Sequence, residues 1–375
     1  MDSLNTKIIG AGPTGTLMAL SLASLGMYVD VFDNIPINIL IKNDRSYALT
    51  HSSRRFFEII DIWNDIESVA SPFNSLLVND SSLNMSTSFN LNDLSVDNQK
   101  YKAIGWIIEH NSLMNIIIQK LSKSKYIKVI NKSTSILDND NYTFNIAADG
   151  KCSLSRKNLD IPYSSFRYSQ GCISFKVLLR GAYPLRAYEV LREEGPLAIL
   201  PIKGDIYQIV WSSSLSVCHK RMQLSRSLFL DALCSALPRG IDPDSLINEP
   251  RLSPLDFLIS FNFSNSNNIL LGESAHSLHP VGGQGLNLSI RDINQLRILF
   301  TRKKNLQYLR PSLSSAFNRS RLLDTLFISF FTDSIVRLFS NRNPLLLFLR
   351  KIIFAIFLKI KYIRVIILSI MTDGI

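Results

Sequence analysis

Six residues near the start of the chain, Gly10-Ala11-Gly12-Pro13-Thr14-Gly15, stand where the short apolar run Lys7-Ile8-Ile9 gives way to good helix formers over residues 17–25. A strand, a glycine turn and a helix in that order make a phosphate cradle. Gly10 permits the tight turn, Gly12 lets the backbone approach a pyrophosphate, and Gly15 allows close helix–strand packing. The amino end of the helix adds unpaired N–H groups and a partial positive charge. Asp33 closes a second β-rich run (residues 28–32), where a carboxylate can bind a ribose 2′-hydroxyl. Together these features predict a dinucleotide site. They fit FAD or NAD equally, and the acid disfavours a 2′-phosphate, so NADPH is not expected in this site.

A second loop, Leu271-Gly272-Glu273-Ser274-Ala275-His276-Ser277-Leu278-His279-Pro280-Val281-Gly282-Gly283-Gln284-Gly285-Leu286-Asn287, is more specific. A strand delivers Gly272 and an acid. A proline and three glycines then lead into a helix that carries Arg291-Asp292 in its early turns. Such a loop lets backbone N–H groups reach a flat, electron-accepting ring, and the helix amino end stabilises negative charge that develops there. A flavin acquires that charge on reduction.

With this loop the chain resembles the aromatic-ring hydroxylase flavoproteins, and within them the ubiquinone-biosynthesis hydroxylase family, relatives of para-hydroxybenzoate hydroxylase. The resemblance runs nearly the whole length. It includes Arg45-Ser46-Tyr47-Ala48-Leu49, Gly105-Trp106-Ile107-Ile108-Glu109, Ala148-Asp149-Gly150 with Ser153 and Arg156, residues 194–201, Thr332-Asp333 and residues 338–341. It implies that Gly10, Ala11, Gly12, Pro13, Thr14, Gly15 and Asp33 hold the ADP half of FAD. Arg45 lies near the cofactor, Asp149 and Gly150 near the pyrophosphate, and Gly272 with Glu273 near the ribityl chain. Pro280, Gly282, Gly283, Gln284, Gly285, Leu286 and Asn287 pass beside the isoalloxazine ring.

The implied activity is hydroxylation of an electron-rich ring by way of a flavin hydroperoxide, with NAD(P)H as reducing co-substrate and O2 as oxidant. The implied substrate is a prenylated phenol or quinone precursor, and the implied setting a quinone-biosynthesis complex or a homo-oligomer. A flavin-dependent reductase or cyclase on the same fold, and a non-catalytic flavin-binding subunit, are the alternatives. The chain departs from the family pattern at Glu273, where aspartate is usual, and at His110, which is given no cofactor contact.

These motifs need an α/β scaffold. The expected fold is a Rossmann-like FAD-binding domain, of the para-hydroxybenzoate hydroxylase type, with an inserted, mostly antiparallel substrate sheet and a C-terminal helical segment. The FAD-binding domain is expected over residues 1–73, 103–165 and 263–330, the substrate domain over 74–102 and 166–262, and the helical segment over 331–375. A strand is expected at residues 127–130, helical periodicity spans residues 107–121, and another helix is expected at 286–300. Residues 74–102, rich in Ser, Asn and Asp, read as a hairpin or crossing loop. Antiparallel strands are expected over residues 172–215, with turns at Gly195-Pro196 and Lys203-Gly204-Asp205.

A chain of 375 residues, 46% hydrophobic and 19% charged, is globular and large enough for two intermixed domains. The four cysteines are scattered with no CxxC, which points to a reduced, intracellular setting without a thiolate metal site. The amino terminus, with Asp2 and no cationic region before the first apolar run, does not read as a signal peptide. No basic run interleaves with aromatics, so the net charge of +11 is not read as a nucleic-acid footprint.

Part of that charge, Arg350, Lys351, Lys359, Lys361 and Arg364, punctuates an apolar stretch over residues 345–371 that contains no Pro or Gly. As one helix, it places four of the five cations within an arc of about 140°, Lys359 lying outside. Either a core helix caps the domain, or a basic amphipathic helix lies on an anionic membrane surface, at the cytoplasmic face. A spanning helix is not expected.

His276 and His279 form an HxxH pair without a third ligand nearby, so no metal is assigned. His276 is at most a weak candidate for tuning the ring or relaying a proton. Tyr188 and Trp211 are core residues first and pocket residues second. Cys152 has no partner base.

Overall fold

The computed structural model describes residues 5–94, 101–138, 142–301 and 310–374; Asp2 and residues 95–100 of the expected crossing segment lie outside them. Strand Asn5–Ile9 is central in a six-stranded sheet, between Phe144–Ala147 and Tyr28–Asp33. Ile127–Asn131 closes one edge, and Asn268–Leu270 with Ser264–Asn265 the other. All the pairings are parallel except that last one. Helices Pro13–Ala23 and Gln284–Thr301 pack on this sheet. Ile8, Leu17, Val31, Ile146, Leu271 and Ile293 form one dry core. Parallel strands are buried on both faces, which is why Thr6, Lys7 and Ile8 are all enclosed.

The larger sheet has nine strands and is antiparallel apart from the pairing of Arg186–Leu191 with Ser75–Asp80. Its spine is Tyr163–Arg180, paired with Arg251–Ser260 and with Ile206–Ser214, which leads on to Leu197–Lys203. Period-two alternation is plain here. Ile173, Phe175, Tyr188, Val190, Leu197, Ile199, Tyr207, Ile209 and Trp211 share one face, packed with Phe229 and Leu233 of helix Arg226–Cys234. The hairpin expected in residues 74–102 forms as Ser75–Asp80 and Met85–Asn90 and belongs to this sheet. The mixed α/β class and the inserted sheet are as the sequence predicts.

Two expectations change. Residues 107–109 are strand rather than helix: Gly105–Glu109 pairs with Ser46–Leu49 and Ser71–Phe73, and the helix begins at His110. Trp106, Ile107 and Ile108 are buried in succession, and such a run does not separate strand from helix by period.

The carboxyl-terminal stretch is not one helix. Helix Arg310–Phe339 runs through the boundary expected at 330/331. Pro344–Lys359 and Lys361–Asp373 then follow, separated at Ile360, whose φ of −116° and ψ of 94° are extended. The break frees the Phe357 carbonyl, which accepts from the Arg364 guanidinium, and Arg364 also reaches Asp93 at 3.3 Å.

Arg350 is not a surface cation either. It is fully buried, and its guanidinium caps the end of the preceding helix by donating to Leu338 O at 2.7 Å and Asn341 O at 2.9 Å. The cationic arc drawn for a single helix therefore does not exist. Of its cations, Lys351 and Lys361 are exposed, as is Lys359 outside it.

Trp211 is wholly enclosed, with the Arg221 guanidinium 3.9 Å from its ring centroid. Trp211→Ala is expected to cost about 3–5 kcal/mol. Urea unfolding followed by circular dichroism checks this, and an unchanged midpoint would contradict the packing described.

Candidate active site

The first glycine turn is built by close backbone contact. A Cβ on Gly10, whose φ is +106°, would stand 2.3 Å from Ala148 O, and one on Gly15 would stand 1.9 Å from Gly10 O. Both glycines are steric requirements of the turn itself. Gly12 differs: at φ −70° any residue fits, and a Cβ there meets nothing within 4 Å. The helix that follows has no side-chain cap and no acid in its first turn, so its N–H groups face outward unpaired. Asp33 holds the turn as well as facing it. Its Oδ2 accepts from Ala11 N at 2.7 Å and its Oδ1 from Ile35 N at 2.8 Å, which leaves further lone pairs for a hydroxyl.

The second loop meets the first. A Cβ on Gly272, at φ +61°, would lie 2.9 Å from Thr14 Oγ1 and 2.8 Å from Ser289 Oγ. Arg156 locks the Asp149-Gly150 segment onto this loop by donating to Ser274 O at 2.7 Å and Lys151 O at 3.0 Å. Gly282 and Gly283 are both left-handed and carry the chain into helix Gln284–Thr301. Gly285, in the first turn, has open space where a Cβ would stand.

Asn287 is the keystone of this loop. Its Nδ2 donates to Ala48 O at 2.7 Å and Gly283 O at 2.9 Å, while its Oδ1 accepts from Ser53 Oγ at 2.7 Å and Thr50 N at 3.1 Å. Thr50 and Ser53 escaped the sequence reading, because only the fold brings them to Asn287.

Beneath the loop lies a buried charge network. His276 Nε2 is 2.7 Å from Asp292 Oδ2, and Asp292 Oδ1 accepts from Arg321 at 2.7 Å. Arg321 also pairs with Asp324 at 2.8 Å, and Asp324 with Arg291 at 3.1 Å. Burial opposes ionisation of Asp292, but the His276 and Arg321 charges outweigh it and hold its pKa below the usual carboxylate range. His276 is thereby a strut between loop and helix. His279 is separate: its Nε2 donates to Gln170 Oε1 at 3.2 Å and its Nδ1 accepts from Val281 N. The HxxH pair thus has two different sets of partners.

Other candidates fall into place. Arg45 and Glu273 are exposed, and both act electrostatically on Tyr47, whose hydroxyl burial drives well above its ordinary range. His110 is structural. Its Nε2 donates to Leu40 O at 2.8 Å, so its Nδ1 accepts from the Tyr47 hydroxyl at 2.8 Å. Tyr188 and Trp211 lie on the sheet face turned away from the loops, in the core. Gln284 spans from the loop to the last helix, donating to Met371 O at 3.3 Å.

A family model described as an FAD binding domain matches residues 141–302, the span that includes the second loop. Ubiquinone hydroxylase UbiL of Rhodospirillum rubrum is 25% identical over 364 residues, covering 89% of this chain and 81% of that protein. The mitochondrial ubiquinone biosynthesis monooxygenase COQ6 of Dictyostelium discoideum is 22% identical, covering 90% and 84%. The chain is similar over most of its length to FAD-dependent aromatic-ring monooxygenases, and residues 141–302 match an FAD-binding domain. The fold agrees. The p-nitrophenol 4-monooxygenase PnpA of Pseudomonas putida aligns with a TM-score of 0.75 at 17% identity, covering 98% of this chain and 97% of that one.

The residues fit FAD. Open space at Gly12 and Gly285 and two helix amino ends suit an anionic pyrophosphate. The exposed Glu273 and the unpartnered oxygens Asp149 Oδ1 and Gln284 Oε1 are acceptors that suit the hydroxyl and N–H groups of such a cofactor. Gly12→Ala is therefore expected to leave the unfolding midpoint of the apoprotein unchanged while weakening FAD binding by about tenfold or more, as the loss of one phosphate contact would. Gly15→Ala should instead lower that midpoint. Fluorescence titration with FAD and thermal unfolding separate the two, and equal behaviour would contradict the division of roles.

Burial lowers the His279 pKa to about 4. The unfolded chain thus binds a proton that the folded chain refuses, and stability falls as pH drops from the ordinary histidine value toward 4. His279 accounts for about 3 kcal/mol of that loss, at about 1.4 kcal/mol per pH unit. His51 and His110, also lowered by burial, act in the same sense. His279→Gln should flatten this slope in urea titrations between pH 7 and 4, and an unchanged slope would exclude the assignment.

Proposed function

We propose that this enzyme hydroxylates the ring of a prenylated phenol or quinone precursor at a membrane surface, with NAD(P)H as reductant and O2 as oxidant. The observation that carries the chemistry is the meeting of two glycine turns, each with an open glycine at a helix amino end, at Gly12 and Gly285. FAD bound there supplies the electron transfer and oxygen activation. The chain supplies position and field. The N–H groups after Gly12 would hold the pyrophosphate, and Asp33 a ribose hydroxyl. Glu273 would reach the ribityl chain, and the amino end of helix Gln284–Thr301 would favour negative charge on the ring. Asn287 and Gln284 fix the loop to its surroundings so that this field is preorganised.

The substrate class draws support from the names of the relatives and from the surface. Helix Arg310–Phe339 exposes Leu323, Leu326, Phe327 and Phe330, and helix Pro344–Lys359 exposes Leu345, Phe348, Leu349 and Ile352. Each set follows the i, i+3, i+4, i+7 spacing of one helix face. Phe330 is 74% and Leu345 72% exposed. Among the described residues no helix is long and apolar enough to cross a membrane. Apolar stripes beside the exposed cations Lys351, Lys359 and Lys361 suit a helix pair lying in an anionic interface, where a prenylated molecule partitions.

Purified holoenzyme is expected to be yellow, to consume NAD(P)H faster when 2-prenylphenol is added, and to place one atom of labelled O2 in the product. Unlabelled product would favour reduction or cyclisation. In flotation assays the enzyme should bind phosphatidylglycerol vesicles, and the variant K351E/K359E/K361E should bind about a hundredfold less, at about 1 kcal/mol per cation. Equal binding would remove the membrane surface from the account.

A further inference from the structure

The larger sheet turns a second face toward the flavin loop, and one row across that face is unusual. Val78, Glu189, Ala198, Val210 and Ser174 are successive partners across five strands. Their strand neighbours Tyr188, Leu197, Ile209 and Phe175 belong to the core on the opposite side, so alternation puts this row on the loop side. Glu189 is the one carboxylate in the row, beside the short Ala198. Its Oε1 is sealed from solvent without a hydrogen-bond partner. The polar group that acts on the carboxyl is the backbone N–H of Gly282, in the flavin loop.

The buried histidines among the described residues are committed elsewhere. His110 and His279 have both ring nitrogens engaged, His51 is held at Ala103 O, and His276 is fixed by Asp292. Among the described residues, the two other carboxylates with a sealed, unpartnered oxygen lie beside cations: Asp80 is 3.7 Å from Arg350, and Asp149 acts on Arg156.

We propose that Glu189 is the proton acceptor for the ring hydroxyl of the aromatic substrate, bound where this row meets the flavin loop. The inference rests on the function proposed above. In the step, the substrate O–H bond breaks, its electron pair stays on the oxygen, and the proton passes to Glu189 Oε1. Nothing is oxidised or reduced. The resulting phenolate ring is richer in electrons and hence a better target for hydroxylation. The proton returns when product leaves.

The surroundings suit this exchange. No charged group contributes to the shift of Glu189; burial raises its pKa to about 7, with the Gly282 N–H opposing. A base works best when its pKa lies near the working pH. The elements packed against it present neutral groups. Val78 and Ala198 flank it on neighbouring strands, Gly282 and Gln284 come from the loop, and Met371 of the last helix abuts Gly282. The nearest charges along these elements are paired, Asp80 with Arg350 and Asp373 with Arg55.

The test compares wild-type holoenzyme with Glu189→Gln and Glu189→Asp, using 2-prenylphenol. Ultraviolet difference spectra should show the bound phenol ionising near neutral pH in wild type. In E189Q it should ionise only near its solution pKa, with a dissociation constant within about threefold. Hydroxylation at pH 7 should fall by about 10²-fold or more in E189Q, recover at alkaline pH, and be partly retained in E189D. An infrared band of a protonated carboxyl, titrating near pH 7 in the wild-type protein, should vanish in E189Q. If E189Q ionises and hydroxylates the phenol with the wild-type pH profile, Glu189 is not the acceptor and the proposed function stands. If wild type itself neither binds nor hydroxylates prenylphenol, the substrate reading falls and takes this role with it.

Discussion

The constraint on which the rest of the structure depends is the approach of two backbone turns from opposite ends of the chain. Gly272 has no room for a side chain because Thr14 and Ser289 already occupy the space, and Gly10 and Gly15 are pressed against Ala148 and each other. Only glycine permits contacts this close, and Gly10 and Gly272 also stand at positive φ. Once the turns are in register, helices Pro13–Ala23 and Gln284–Thr301 point their amino ends out of the same region. Two partial positive charges and a row of free N–H groups then sit where an anionic dinucleotide can use them.

The second loop is tied down from three sides. Asn287 binds it to Ala48, Thr50 and Ser53, the network of His276, Asp292 and Arg321 holds it from beneath, and Gln284 joins it to the last helix. Breaking a buried ion network by removing one member typically costs about 3–5 kcal/mol, so this loop is not a free-standing lid. The last helix closes over it with Leu368 in an apolar cluster with Phe73 and Phe89. The carboxyl-terminal region therefore does two jobs: its final helix completes the site, while the two helices before it display apolar stripes to the outside.

Much of this was legible from residues whose backbone or chemistry is singular. Glycines in fixed spacing, an acid at a strand end and a proline before a helix declare their geometry locally, and both loops formed as read. The substrate sheet was legible from alternation. What was hidden depends on distant partners. The strand at Gly105–Glu109 looked helical because its apolar run is buried on both faces. Arg350 looked like a surface cation because nothing local shows that Leu338 and Asn341 carbonyls await it. The break at Ile360 carries no Pro or Gly to announce it. Glu189 carries no local signal, because its setting is made by the row across the sheet and the Gly282 N–H, neither of which adjoins it in sequence.

The most direct test of the central claim is a crystal structure of the FAD complex. The account predicts the pyrophosphate on the N–H groups that follow Gly12, and the isoalloxazine ring along residues 280–287 with its far side toward the sheet row of Glu189 and Ala198. FAD bound with its ring away from that loop, or a pyrophosphate making no contact with the first glycine turn, would contradict it.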